Sequence, residues 1–307
     1  MRQQLPDFLI VGAAKSGTTS LANYLSEHPN IFIPNVKELH FFAFANDSPK
    51  FSTPHILGPV LITTLSEYLS FFSSAPINAV LGEASVSYLY QRLYKRVISN
   101  IKKYHSRWKE IKIIIILREP VERAFSHYVT RLNDLERLPF KEAVWAWQER
   151  EKKGWTIAYD YLGLSFYYEP VKAYVETFDY VKVYLYEDLQ ERPLWLVKDI
   201  FKFLEVDSDF IPQNLGKKYN VSFANKSDLH HMLYKLYCTG IKYNPLKPAM
   251  KRISEQTKEK IHMWIKKQLF VKPQLDKEVR ESLKEVFRED ILKLQDLIKR
   301  DLSHWLK

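Results

Sequence analysis

Residues 111–117 read IKIIIIL, an almost unbroken β-branched apolar run. A strand with one wet face alternates polar and apolar side chains, so a continuous run demands cover on both faces. A parallel sheet wrapped by helices supplies that cover. Residues 7–12 (DFLIVG), 79–83 and 181–186 (VKVYLY) read as further strands. Helical patterns alternate with them. Residues 21–28 place Leu21, Tyr24 and Leu25 on one face, with Pro29 just past the end. A second helix opens at Pro120, with Val121, Phe125, Tyr128 and Leu132 inward, and a third spans residues 193–204. Residues 31–42 read as extended, and 46–59, punctuated by proline, as loop. Two helices are expected near the end, one from about residue 254 with Ile261, Trp264, Ile265 and Leu269 inward, the other over 275–299. The expectation is one α/β domain over residues 1–307, a parallel sheet flanked by helices with a helical C-terminal cover.

Of the 307 residues, 46% are apolar and 27% charged, which excludes a disordered, collagen-like or coiled-coil chain. The single cysteine, Cys238, allows neither an internal disulfide nor a four-thiolate zinc site, and a lone thiol fits a reducing, cytoplasmic setting. No metal-ligand spacing is present: His230 and His231 are adjacent. Residues 60–72 are too short and polar to span a bilayer. The N-terminus imitates a signal peptide, but Asp7 interrupts its apolar part, so it reads as a buried strand and the mature chain as starting near Met1. Charge is uneven. Residues 216–272 hold 13 Lys/Arg against 3 Asp/Glu, which matches the +10 of the whole chain and points to an anionic partner.

The first strand runs into Gly12-Ala13-Ala14-Lys15-Ser16-Gly17-Thr18-Thr19-Ser20 and then a helix. Strand, glycine loop and helix N-terminus together make an anion site, because free N–H groups and the helix dipole converge there. The spacing of Gly12 and Gly17 is that of a nucleotide P-loop, which makes the sheet P-loop-type. However, Thr18 stands where that motif has lysine, and the lysine lies inside the loop as Lys15. Phosphate binding fits; the usual lysine–magnesium arrangement does not.

The segment K-x-G-T-T after a first strand resembles the 5′-phosphosulfate loop of sulfotransferases that use 3′-phosphoadenosine 5′-phosphosulfate (PAPS). The same family carries an Arg at a strand end and a Ser eight residues later, which hold the 3′-phosphate. Here these are Arg118 and Ser126 in LREPVERAFSHY. PNVKELHFF and GEASVSYLY resemble segments of the bacterial and heparan-sulfate branch, with Ala84 where lysine is common and Val86 where proline is. The final residues resemble the ending of many bacterial members.

The resemblance implies a PAPS-dependent sulfotransferase acting on a hydroxyl of a carbohydrate, lipid or small molecule, with adenosine 3′,5′-bisphosphate as product and no metal. Lys15, Ser16, Gly17, Thr18, Thr19 and Ser20 would hold the phosphosulfate. Glu38 and His40, two apart on an extended segment, would share one face, and either suits a general base; the family pattern favours Glu38. Lys37, Glu83, Ser85 and Tyr88 are expected near the acceptor. Lys217 and Lys218 lie where the family has a basic loop over the nucleotide. Trp145, Trp147, Trp155 and Tyr161 are groove candidates, with core packing the simpler role. Two alternatives stand beside this. One is a P-loop kinase, opposed by the displaced lysine. The other is a nucleic-acid-binding protein using the basic segment, which lacks a recognition motif.

Overall fold

The computed structural model describes residues 5–47, 49–53, 61–217, 224–225, 270–271 and 273–307. Most of the basic segment, the helix expected from residue 254, Cys238 and Lys218 lie outside them.

Five parallel strands form the central sheet: β1 (Phe8–Gly12), β2 (Ile31–Phe32), β3 (Val80–Ala84), β4 (Lys112–Leu117) and β5 (Tyr180–Leu185). Their order is β2-β3-β1-β4-β5, so β1 is central and the order reverses beside it. Such a reversal opens a crevice at the carboxyl edge of a sheet, where ligands bind. The fold is a P-loop-like α/β architecture, with the sheet covered on both faces as the IKIIIIL run demands.

Side chains of β4 alternate between two cores. Ile113, Ile115 and Leu117 enter one, and Ile114 and Ile116 the other. The second core is closed by helix Thr18–Ser26, through Leu21 and Leu25, and by helix Pro193–Leu204, through Leu196, Val197, Ile200 and Phe201. The first core is closed by helices Tyr94–Tyr104 and Tyr168–Thr177 and by the long helix Lys277–Ile298. That last helix buries Leu283, Phe287, Ile291 and Leu294, a single stripe at helical spacing. Asp276 caps its start, accepting from the N–H groups of Glu278 and Val279. Arg300, just beyond its end, makes two bonds to the buried Asp188, at 2.6 and 3.1 Å. Burial alone would raise that carboxyl, yet its donors hold it below the usual range.

Two local expectations change. Residues 31–42 are not extended throughout: β2 covers two residues, and Phe41–Phe44 forms a helical turn. Among the aromatic groove candidates, Trp147 and Tyr161 are core residues, while Trp145 is exposed. No helix among the described residues is long and apolar enough to cross a membrane.

Candidate active site

A cavity of about 680 Å³ opens at the carboxyl edge of the sheet. That is within the range of small-molecule sites. The loop after β1 supplies one wall, with Lys15, Gly17, Thr18, Thr19 and Ser20 all on it. Helix Thr18–Ser26 aims its N-terminus here, and its first turn has no acidic residue to satisfy the dipole internally. Gly17 is left-handed (φ 92°), and a Cβ there would stand 2.4 Å from Leu189. No other residue fits that turn. Ser16 is on the loop but not in the wall; its hydroxyl is buried without a hydrogen-bond partner.

Lys15 is itself left-handed, φ 67°, an uncommon state for a side-chain-bearing residue. Burial lowers its ammonium pKa to about 8, with Arg131, Arg118 and Arg123 adding repulsion. A cation crowded by three guanidinium groups is a site prepared for a multivalent anion.

The opposite wall comes from β4 and the helix that follows. Glu119 caps helix Pro120–Arg131, accepting from Val121 and Glu122, and Pro120 is its first residue. Arg118 follows β4 directly and lines the cavity with Ser126. Its guanidinium lies 5.0 Å over the Tyr186 ring, donates to the Lys15 carbonyl at 3.3 Å and pairs with Glu122 at 3.2 Å. Glu122 also binds Arg280 of the C-terminal helix, which ties that cover to the site.

Glu38 and His40 line the cavity from a third side. They do not sit on an extended segment: both are left-handed, φ 61° and 57°. Their proximity arises instead from a lattice of bonds to residues 84–88. The Glu38 N–H donates to the Ala84 carbonyl, and the Val86 N–H donates to Glu38 Oε2 at 2.9 Å. The His40 N–H donates to Ser85 Oγ, and His40 Nδ1 lies 2.7 Å from Ser87 Oγ. The Phe42 N–H donates to the Tyr88 hydroxyl. Held so, His40 Nε2 is 3.7 Å from Glu38 Oε2. Lys37, absent from the cavity wall, donates to Thr19 Oγ1 at 3.1 Å, and burial lowers its pKa.

Glu83, Ser85 and Tyr88 are brought beneath the site, not into its wall. Glu83 is 2% exposed, accepts from Ser85 and Tyr68, and burial pushes its carboxyl up to about 7. Lys217 is exposed and outside the wall; its carbonyl accepts from Tyr24, while its neighbour Gly216 lines the rim.

Three features in and behind the wall were not anticipated from the sequence: Tyr186 under Arg118, the Glu122–Arg280 tie, and a line of Arg123, His127 and Arg131 at every fourth residue of one helix. The last was visible as spacing. Arg123 is fully buried, donating to Ser165 Oγ, the Tyr161 carbonyl and His127 Nδ1.

Comparison with known proteins agrees with this geometry. A family profile described as sulfotransferase domain matches residues 5–296. The crystal structure of a sulfotransferase from Alicyclobacillus acidocaldarius superposes with a TM-score of 0.73 at 29% identity, covering 99% of each chain. Membrane-associated sulfotransferase kil1 of Dictyostelium discoideum is 29% identical over 135 residues, 43% of this chain and 24% of its own length. Human heparan sulfate glucosamine 3-O-sulfotransferase 6 is 29% identical over 138 residues, 45% of this chain and 34% of its own. The match thus spans about a quarter to a third of these curated relatives. With a family profile covering nearly all of the chain, the fold and the loop after β1 have their explanation: this protein belongs to the sulfotransferase family.

Proposed function

We propose that the cavity binds PAPS and that the enzyme transfers its sulfuryl group, by in-line displacement, to a hydroxyl of a carbohydrate, lipid or small-molecule acceptor. One observation carries this. An acid-free helix N-terminus, Lys15 and the Arg118–Ser126 pair share a cavity with a carboxylate, Glu38, on the facing wall. The donor set suits the nucleotide: backbone N–H groups and Lys15 for the phosphosulfate, Arg118 and Ser126 for the 3′-phosphate.

In this reading the acceptor oxygen attacks sulfur while its proton passes to Glu38. A new O–S bond forms as the bond from sulfur to the bridging phosphate oxygen breaks, and that electron pair leaves with adenosine 3′,5′-bisphosphate. Lys15 offsets the charge growing on the leaving phosphate, an interaction stronger in the transition state than in the ground state. Thr19, oriented by Lys37, joins Thr18 on the sulfuryl oxygens. His40 orients Glu38. Glu83, Ser85 and Tyr88 act from below by fixing the strained backbone of residues 38–42, and Lys217, next to the rim residue Gly216, is assigned to the nucleotide. No metal enters the proposal.

The test is a screen of hydroxyl acceptors with ³⁵S-labelled PAPS, followed by variants. Glu38→Gln should keep its affinity for adenosine 3′,5′-bisphosphate and lose on the order of a hundredfold in turnover. His40→Ala should lose less. A nearly active Glu38→Gln beside an inactive His40→Ala moves the base to the histidine.

A further inference from the structure

Helix Pro120–Arg131 flanks the cavity along its whole length, from Glu119 at its cap to Arg131 at its last residue. Arg118 and Ser126 account for its first half. Its second half carries a charge that the nucleotide contacts leave unused. Arg131 lines the cavity, its side chain is 12% exposed, and Nε and Nη1 are buried without a hydrogen-bond partner. Asp134 Oδ2 stands 3.3 Å from Nη1 but out of line for a hydrogen bond, and that carboxylate is the more exposed of the two. Unmade bonds on a buried guanidinium are costly, so such a group in a cavity wall is poised for an acceptor atom that arrives with a ligand.

Its position separates it from the 3′-phosphate subsite. Five residues of helix put Arg131 about 7.5 Å beyond Ser126 along the axis. Among the neighbouring guanidinium groups it also acts most strongly on Lys15, the residue at the sulfuryl end. One turn back along the same helix is His127, also in the wall. Arg123 Nη1 donates to His127 Nδ1, and a guanidinium has no acceptor, so the imidazole carries its proton on Nε2 when neutral. Burial and the surrounding cations hold it in that neutral form. Near these groups the wall turns apolar, with Val129, Ile157, Ala158 and Leu164. A charge against an apolar surface, next to the transfer point, describes a specificity device for the acceptor.

We infer that Arg131, with His127 beside it, recognises an anionic group, a carboxylate or sulfate, on the acceptor close to the hydroxyl that is sulfated. The inference rests on the sulfuryl-transfer reading and deepens it by naming the acceptor class.

The experiment uses matched acceptors that differ only in charge: glucuronides against glucosides, and hydroxybenzoates against the corresponding phenols. Transfer is read with ³⁵S-labelled PAPS, and binding by calorimetry on protein saturated with adenosine 3′,5′-bisphosphate. The wild type should prefer the acidic member of a pair by about tenfold or more. Arg131→Gln should erase that preference, chiefly through the acceptor KM measured at saturating PAPS. Arg131→Lys should restore part of it, which a merely structural role would not require. A wild type that favours neutral acceptors, treats the pairs alike or binds neither member overturns the inference. So does an Arg131→Gln that slows transfer to acid and neutral acceptors equally. If Arg131→Gln fails to fold, the wild-type preference and its retention in Arg131→Lys decide. Absence of any adenosine 3′,5′-bisphosphate binding by the wild type is a different failure, that of the nucleotide site itself.

Discussion

Glu83 lies under residues 38–42, and its titration provides a direct handle on that placement. Its carboxyl is pushed from an ordinary 4.5 to about 7, burial being the largest cause and the donors Ser85, Tyr88 and Tyr68 opposing it. Between those two values the folded protein holds a proton that the unfolded chain has lost. Linkage then fixes the sign: stability is fully present below about pH 4.5 and falls as pH rises toward 7, above which the loss is complete. A shift from 4.5 to about 7 is worth about 3 kcal/mol, since one pH unit corresponds to about 1.4 kcal/mol. Glu83→Gln removes the titration but gives up one acceptor oxygen, at a cost of about 1 kcal/mol. The variant should therefore be less stable than the wild type at pH 4.5 and equal or more stable at pH 8. Urea unfolding at half-unit steps across pH 4.5–8 reads the difference directly. If the two stability profiles run parallel, Glu83 is solvated and the wall has been drawn in the wrong place.

Further outcomes follow from the same geometry. Arg118→Ala should weaken adenosine 3′,5′-bisphosphate by about 2–5 kcal/mol, as for a lost charge-assisted contact, and adenosine 5′-phosphosulfate far less; calorimetry with both nucleotides separates the 3′-phosphate from the rest. Lys15→Ala should lower turnover by more than it weakens nucleotide binding, and normal turnover at saturating PAPS would remove its role. Because the free Lys15 titrates near 8, adenosine 3′,5′-bisphosphate should bind with proton uptake at pH 8–9, measurable from the buffer dependence of the binding heat and absent in Lys15→Ala. Dialysis against EDTA should leave the wild-type rate unchanged, whereas a strict magnesium requirement would restore the kinase alternative.

The parts of the fold written in apolar periodicity were legible. IKIIIIL forced a strand covered on both faces, and the structure divides its side chains between two cores. Pro120 marked a helix start because proline suits the first turn, and it stands there. The loop after β1 announced its place at the cavity through its glycines and Lys15, and Lys15 and Gly17 line it. The segment of residues 38–42 did not show its shape. A left-handed backbone is uncommon for any residue with a side chain, and two such residues so close together are not announced locally, so the φ values of 61° and 57° could not be read from the sequence; bonds to residues 84–88 hold the segment in that shape. That lattice also explains why Glu83, Ser85 and Tyr88, expected beside the acceptor, lie beneath the cavity wall. Arg123, His127 and Arg131 were passed over for a different reason. Charges at helical spacing ordinarily describe a solvated face, and only the tertiary structure shows that His127 and Arg131 line the cavity while Arg123 is buried behind them.

The most direct measurement is a calorimetric titration of the purified full chain with adenosine 3′,5′-bisphosphate, alongside adenosine 5′-phosphate and ATP–magnesium. A nucleotide site built from Lys15, Arg118 and Ser126 predicts tight binding of the bisphosphate, a loss of at least about thirtyfold for adenosine 5′-phosphate, which lacks the 3′-phosphate, and the same loss for the bisphosphate in Arg118→Ala. Equal binding of both monophosphate and bisphosphate, or tighter binding of ATP–magnesium, would contradict it.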